Sequence, residues 1–205
     1  MQAIAAMPYF NLSDLMPYSR DRHYLKTMLA RYHARGEIIR LKKGLYVSQK
    51  YIDETQKKNY YTVYLEFIAN QLAAPSYLSL DYILAQHNIL TEMPTNFTLI
   101  TQAKTNAYAN ALGNFFYHSI KPMLFCGFAQ TNEADFTIAK ATKSKALFDY
   151  LYLRKNSINC RSQAVELRLN FENLLAADWR ELKKYCLLSK TKKMLAIYEL
   201  LLKIK

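Results

Sequence analysis

Gly36-Glu37-Ile38-Ile39-Arg40-Leu41-Lys42-Lys43-Gly44-Leu45-Tyr46 decides how this chain is read. Two short β-prone runs flank Lys42-Lys43-Gly44, and Gly44 permits the positive φ that a tight turn needs. Ile39 and Leu41 alternate with Arg40 and Lys42, which predicts a hairpin with one buried and one basic face. The residues before Gly36 predict a helix opening after Ser19, its expected N-cap. Leu25, Met28, Leu29 and Tyr32 fall at i, i+3, i+4 and i+7, one apolar face. Gly36 is placed to end that helix as its C′ residue. Helix, glycine stop, strand, lysine-glycine turn, strand is the order of a winged helix-turn-helix, and it directs attention to DNA.

At 100° per residue, Arg20, His23, Thr27 and Ala30 point away from the apolar face. Lys26 and Arg31 flank them, and Arg22 lies nearer the core edge. Small and polar residues on the outside let a helix approach a groove floor, with cations beside it at phosphate positions. Arg20, Arg22, His23, Lys26 and Thr27 are therefore the expected base-facing set. Arg31 is expected beside them, and Arg40, Lys42 and Lys43 on the wing are expected to meet phosphates. The competing reading is an ordinary solvated basic face.

Charge agrees with a polyanionic partner. The chain of 205 residues carries a formal net charge of +12. Residues 1–60 hold 11 Lys and Arg against 5 Asp and Glu, and residues 161–205 hold 10 against 5, while the middle is close to neutral. Basic ends favour phosphate contact through counterion release. With 51% hydrophobic residues, including 17 Tyr and 10 Phe, the chain is expected to fold throughout around an aromatic core. Cys126, Cys160 and Cys186 form no C-x-x-C pair, so neither a disulfide framework nor a zinc site is expected, and reduced thiols in the cytoplasm are the simplest account. The start of the sequence has no basic region ahead of an apolar run and does not read as a signal peptide. No apolar run approaches the ~20 residues that cross a bilayer, so no membrane association is expected.

The fold class expected is α+β: an N-terminal winged helix-turn-helix over residues 1–58, then a mixed α/β domain over 59–205 with a helical tail from about 161. Residues 2–7 and Leu12–Met16 predict two short helices, the second capped by Asn11. Residues 50–60 are polar and read as a boundary. Tyr61–Leu72 and Ser79–His87 predict helices, and Phe97–Thr101 a strand. Hairpins are expected around Gly113-Asn114, joining 107–112 to 115–120, and around residues 132–135, joining 123–130 to 136–139. Ala146–Tyr152, 171–187 and 190–204 read as helical, with Ser189 capping the last. His23, His33, His87 and His118 lack metal-ligand spacing, and Gly-rich phosphate loops and serine-nucleophile motifs are absent from the sequence. No catalytic residue, metal or cofactor is assigned. Asp81 and Asp149 read as helix caps or surface acids.

Several segments in order resemble the AbiEi family of bacterial antitoxins. The stretch from Ser19 to Tyr46 resembles that family's winged-helix head. Ser76-Tyr77-Leu78-Ser79-Leu80 resembles its S-Y-[IL]-S-L segment. Phe97-Thr98-Leu99-Ile100-Thr101 resembles its strand ending in Thr, and Ile138 to Asp149 resembles its I-A-x-[PA]-x-K-A-L-x-D element. Two departures are a very short first helix and Thr142-Lys143-Ser144 in place of a more usual Pro or Glu. The resemblance implies an antitoxin of an abortive-infection toxin–antitoxin system. Its winged helix would bind inverted or direct repeats in its own promoter as a transcriptional repressor. Its second domain would counter a nucleotidyltransferase-fold toxin, without need of a stable complex. The Gly-Ser turn followed by paired acids that such a toxin carries is absent here, which puts the chain on the antitoxin side. Lys190, Lys192 and Lys193, at the start of the last predicted helix, oppose its macrodipole and are the candidate antitoxin surface. Two other readings stay open: a winged-helix regulator with no toxin, whose second domain senses a ligand or mediates dimers, and an enzyme-like domain acting on the toxin or its RNA substrate.

Overall fold

Two apolar clusters, divided within a single hairpin, organise the chain. The computed structural model describes residues 2–92 and 94–204. The smaller cluster gathers Ile4, Phe10, Leu15, Leu25, Leu29 and Ile38. The larger includes Leu41, Leu45, Val47 and Ile52 and extends to Leu201.

The amino-terminal part runs α1 (Gln2–Ala5), β1 (Phe10–Asn11), α2 (Leu12–Leu15), α3 (Arg22–Ala34), β2 (Ile38–Lys42), β3 (Leu45–Ser48) and α4 (Gln49–Lys57). Asn11 caps α2 as expected, accepting from Ser13 N, while Asp14 accepts from Asn11 N. β1, β3 and β2 form a three-stranded antiparallel sheet in that order. The hairpin departs from simple alternation. Its register shifts between Arg40 and Lys42, so Leu41 is the extra residue of a bulge. Ile38 and Leu41 are consequently the buried pair, and Ile39 is only half-buried.

Residues 50–60 are not a boundary loop. Most of them form α4, capped by the Ser48 hydroxyl accepting from Tyr51 N and burying Ile52 and Thr55. Thr55 hides in the sequence as a polar residue, yet its hydroxyl bonds to Ile52 O and leaves only its methyl to pack.

The remainder is mixed α and β. It continues with α5 (Tyr61–Leu72), β4 (Ser76–Leu78), α6 (Leu80–Gln86), β5 (Phe97–Thr101), β6 (Asn106–Asn110), β7 (Gly113–Ser119), β8 (Phe128–Glu133) and β9 (Phe136–Ala141). After these come α7 (Lys143–Arg154), α8 (Arg161–Val165), α9 (Ala176–Leu188) and α10 (Lys192–Leu202). One six-stranded sheet has the order β6-β7-β5-β4-β9-β8. Its β5–β7 and β4–β9 pairs are parallel, the rest antiparallel. α5 packs on β4, β5 and β9, while α6, α7, α9 and α10 stack successively. Every residue of β5 is buried, as a central strand requires.

One hairpin turn falls within the expected residues and the other does not. Between β8 and β9, Ala134 and Asp135 both take positive φ, the backbone of a type I′ turn. Between β6 and β7 the turn lies at Ala111-Leu112, ahead of Gly113. The Asn110 side chain accepts from Leu112 N at 2.8 Å and folds the chain there, while Leu112 is drawn into the core.

The two parts are bonded to each other. Lys42 Nζ donates to Leu72 O at 2.8 Å, Asn110 Nδ2 to Leu41 O at 2.9 Å, and Tyr64 OH to Pro8 O at 2.7 Å. Among the described residues no helix is long and apolar enough to cross a membrane.

Candidate nucleic-acid interface

α3 is built to present one face. Asp21, not Ser19, is its N-cap, accepting from His23 N at 2.8 Å and Tyr24 N at 3.0 Å. Ser19 acts one step earlier, its hydroxyl accepting from Asp21 N. A carboxylate at this position also meets the positive end of the helix dipole, which favours Asp over Ser. Arg20 therefore precedes the helix, contrary to its expected place on the helical face. At the other end Gly36 takes φ +72. Gly36 N bonds to His33 O and Glu37 N to Tyr32 O, the paired closure of a Schellman motif.

Leu25 and Leu29 are buried, with Met28 and Tyr32 half-buried beside them. Arg22, His23, Lys26, Thr27, Ala30 and Arg31 are all exposed. Spacing of four residues stacks Arg22 over Lys26, and His23 over Thr27 and Arg31, in two neighbouring rows whose members are one turn apart. α3 contains no Asp or Glu. Its cations are thus uncompensated along the whole face. Tyr24, 56% exposed, stands beside them.

The wing residues separate. Arg40 and Lys43 are exposed. Lys42, expected at a phosphate, is turned to the protein. Its ammonium sits on the last carbonyl of α5, where the helix dipole is negative, and 6.0 Å from the Tyr108 ring. The bulge at Leu41 is the reason, because it rotates the residue after it towards the larger part.

The tail lysines also separate. Ser189 does not cap the last helix. Its hydroxyl bonds to Cys186 O and so closes α9, and it accepts from Thr191 N. Lys190 takes φ +53 in the joint, outside any helix. Lys190 and Lys192 are exposed, whereas Lys193 is half-buried and donates to Asn159 Oδ1 at 2.8 Å.

One constellation was not anticipated from the residues. Asp149, read as a cap or surface acid, lies inside α7 with a fully buried side chain. One of its oxygens pairs with Lys145 Nζ, also fully buried. The other accepts from Tyr77 OH at 3.0 Å and Ser79 Oγ at 2.8 Å. The rings of Phe148, Tyr77 and Tyr185 surround the Lys145 ammonium at 4.9, 5.5 and 5.6 Å. Burial pushes the Asp149 carboxyl above its ordinary range, opposed by Lys145 and the two hydroxyls. Burial, then the Asp149 charge, raises the Tyr77 phenol. With neither charged side chain open to solvent, this arrangement ties β4 to α7 and offers no reacting atom to a substrate. The i, i+4 spacing of Lys145 and Asp149 was the available signal.

A second buried acid, Glu66 on α5, pairs with Lys140 Nζ at 2.6 Å and accepts from Tyr82 OH and Gln86 Nε2, both at 2.8 Å. Asp81 stands at the surface end of α6 and pairs with Arg154 at 3.4 Å. Burial lowers His87 and His118, and Lys143 and Arg154 add to this respectively. Among the described residues no three His, Cys, Asp or Glu gather as a metal site would require. No family model matches this chain, and no curated protein matches it either.

Proposed function

We propose that this protein is a cytoplasmic DNA-binding antitoxin of the AbiEi kind, which represses its own promoter through a winged helix-turn-helix and counters a nucleotidyltransferase-like toxin. The observation that carries the DNA half is the α3 face: six exposed residues, four of them Arg, Lys or His, on a helix without acids that leads directly into a hairpin. A strand lying between the first two short helices and pairing with that hairpin also suits a winged helix. The antitoxin half rests on the resemblance. One structural relation supports it. Ser76-Tyr77-Leu78-Ser79-Leu80 and Lys145-Ala146-Leu147-Phe148-Asp149, far apart in sequence, meet side chain to side chain through Tyr77, Ser79, Lys145 and Asp149.

In this reading Arg22, His23, Lys26 and Thr27 face bases, Arg20 reaches from the loop before the helix, and Arg31, Arg40 and Lys43 meet phosphates. The test is binding to the fragment upstream of its own gene, titrated with salt. Replacing Arg31, Arg40 and Lys43 together by Ala is expected to weaken binding and to flatten the slope of log K on log salt by ~3. Lys42→Ala is expected to leave that slope unchanged. Full operator binding by the triple variant would defeat the assignment. Rescue of growth on co-expression with the neighbouring toxin gene tests the second half. A regulator without a toxin, sensing a ligand, is the second reading, and a cleft beside α4 favours it.

A further inference from the structure

We propose that the cleft between α4, α5 and the β8–β9 hairpin is a binding site for an uncharged planar heteroaromatic molecule, a nucleobase or nucleoside. The cleft encloses about 980 Å³, at the upper end of the range of small-molecule sites. Its position is unusual in that both parts of the chain form it. Pro8 and Tyr51 come from the amino-terminal part, and Tyr60, Phe67, Phe128 and Phe136 from the larger one.

The walls are aromatic and held in place. Phe67 and Phe136 stack with centroids 4.7 Å apart, and Tyr60 tilts on Phe136 at 6.0 Å. Phe128 stacks on buried Tyr77 at 4.5 Å, and Phe125 meets Phe128 edge-on at 5.2 Å. Rings already fixed by their neighbours lose little freedom when a flat ligand is laid on them, the condition that favours stacking. Polar groups for orienting a ligand are present and uncommitted. Among the described residues, neither the Tyr51 and Tyr60 hydroxyls nor the Gln130 amide has a hydrogen-bond partner, and all three residues line the cleft. Burial, Tyr60, Glu54 and Asp135 push the Tyr51 phenol up to about 12, so it remains a donor at neutral pH. The amide of Gln130 offers both a donor and an acceptor, the pairing that reads a base edge.

Charge selects against an anion. Lys58 and Asp135 stand at the same cleft with opposite signs, so its lining carries no net formal charge to attract a phosphate. The occupant is therefore the heterocycle without its phosphate. This inference does not depend on the operator or on a toxin.

The experiment is calorimetric titration of the full chain with adenosine, guanosine, cytidine, uridine and free adenine, with adenosine monophosphate as the charged comparison. At least one neutral compound is expected to bind at micromolar to submillimolar concentration, and the monophosphate no more tightly than adenosine. Tyr60→Phe removes one hydroxyl and is expected to weaken binding ~2–10-fold. Thr137→Trp, at an exposed strand position on the cleft wall, is expected to fill the space and abolish it. A thermal melt confirms that both variants fold. No heat with any neutral compound up to its solubility overturns the proposal. So does binding that ignores both substitutions, or a monophosphate bound more tightly than its nucleoside. Because the fragment-binding assay is separate, failure there leaves this site standing.

Discussion

Gly127 is the residue at which local backbone and distant packing meet. It takes φ +74, and a Cβ there would fall on the Tyr185 hydroxyl, 2.7 Å from its Cζ and 2.9 Å from Lys145 Cδ. Gly127→Ala therefore adds strain of ~1–3 kcal/mol from φ and a clash with a ring that packs over buried Lys145. Tyr185→Ala in the same chain removes the clash with the ring, but neither the close approach to Lys145 Cδ nor the φ penalty. The double variant is expected to lose less stability than the sum of the singles in urea denaturation, and strict additivity would remove the packing argument. The adjoining ion pair makes a sharper prediction. Asp149→Asn leaves a buried ammonium without its counter-charge and is expected to cost ~3–5 kcal/mol, while joint replacement of Lys145 by Met and Asp149 by Leu is expected to cost less than that single change. Neither Asp149 nor Lys42 was legible in its true role. A lone charged residue in sequence is read as exposed by default, and only the fold reveals that Lys42 reaches the end of α5 or that Asp149 is enclosed. Gly36 and Asn11 were legible because helix caps are local chemistry.

Elements with strong periodicity were read correctly from sequence, and those whose shape depends on a partner were not. Tyr61–Leu72 and Phe97–Thr101 begin and end where their patterns do. α4 was missed because only Tyr51 and Ile52 of its nine residues are apolar, and the segment was read by its polar composition. The hairpin bulge was missed because an inserted residue leaves no mark in composition. Among the elements, the joint between α7 and α9 carries a pH dependence. Asp178 pairs with Lys143 at 2.9 Å and accepts from Leu175 N at 2.8 Å. Although burial raises its carboxyl, these partners together hold it below its ordinary value of 3.8. A carboxyl depressed in the folded state adds stability that is complete above its unfolded value and is lost as pH falls through the folded one. Wild type is thus expected to exceed Asp178→Asn in urea midpoint at neutral pH, with the gap closing only below about pH 4. A gap that persists unchanged into strong acid would mean that the ion pair is not its source.

At the scale of the whole molecule, the sequence suggested a head ending near residue 58 and a tail beginning near 161, yet the apolar clusters ignore both marks. Leu41, Leu45, Val47 and Ile52 belong to the larger cluster, as do Leu182, Cys186, Met194, Ile197 and Leu201 of the tail. Such sharing cannot be seen in a linear pattern, because each residue is apolar whichever cluster it joins. It has a consequence for any attempt to divide the chain. An isolated segment 1–58 would expose those four hairpin and α4 side chains, at ~1.5–3 kcal/mol each. Among the described residues, six buried side chains would remain in its own cluster. That deficit is comparable with the ~5–15 kcal/mol by which ordinary domains are stable. Removing residues 161–205 would likewise open the larger core. Substitutions of exposed Lys190 and Lys192 therefore test a tail surface more cleanly than truncation does. The expected behaviour of the intact chain is a single cooperative transition, in which calorimetric and van't Hoff enthalpies agree and tyrosine fluorescence and far-ultraviolet dichroism melt together. Two resolved transitions, with the amino-terminal part unfolding alone, would show that the hydrogen bonds from Lys42, Asn110 and Tyr64 do not couple the parts. A head that moved so freely would also bring Lys42 back to the wing as a phosphate ligand, and its replacement by Ala would then change the salt slope.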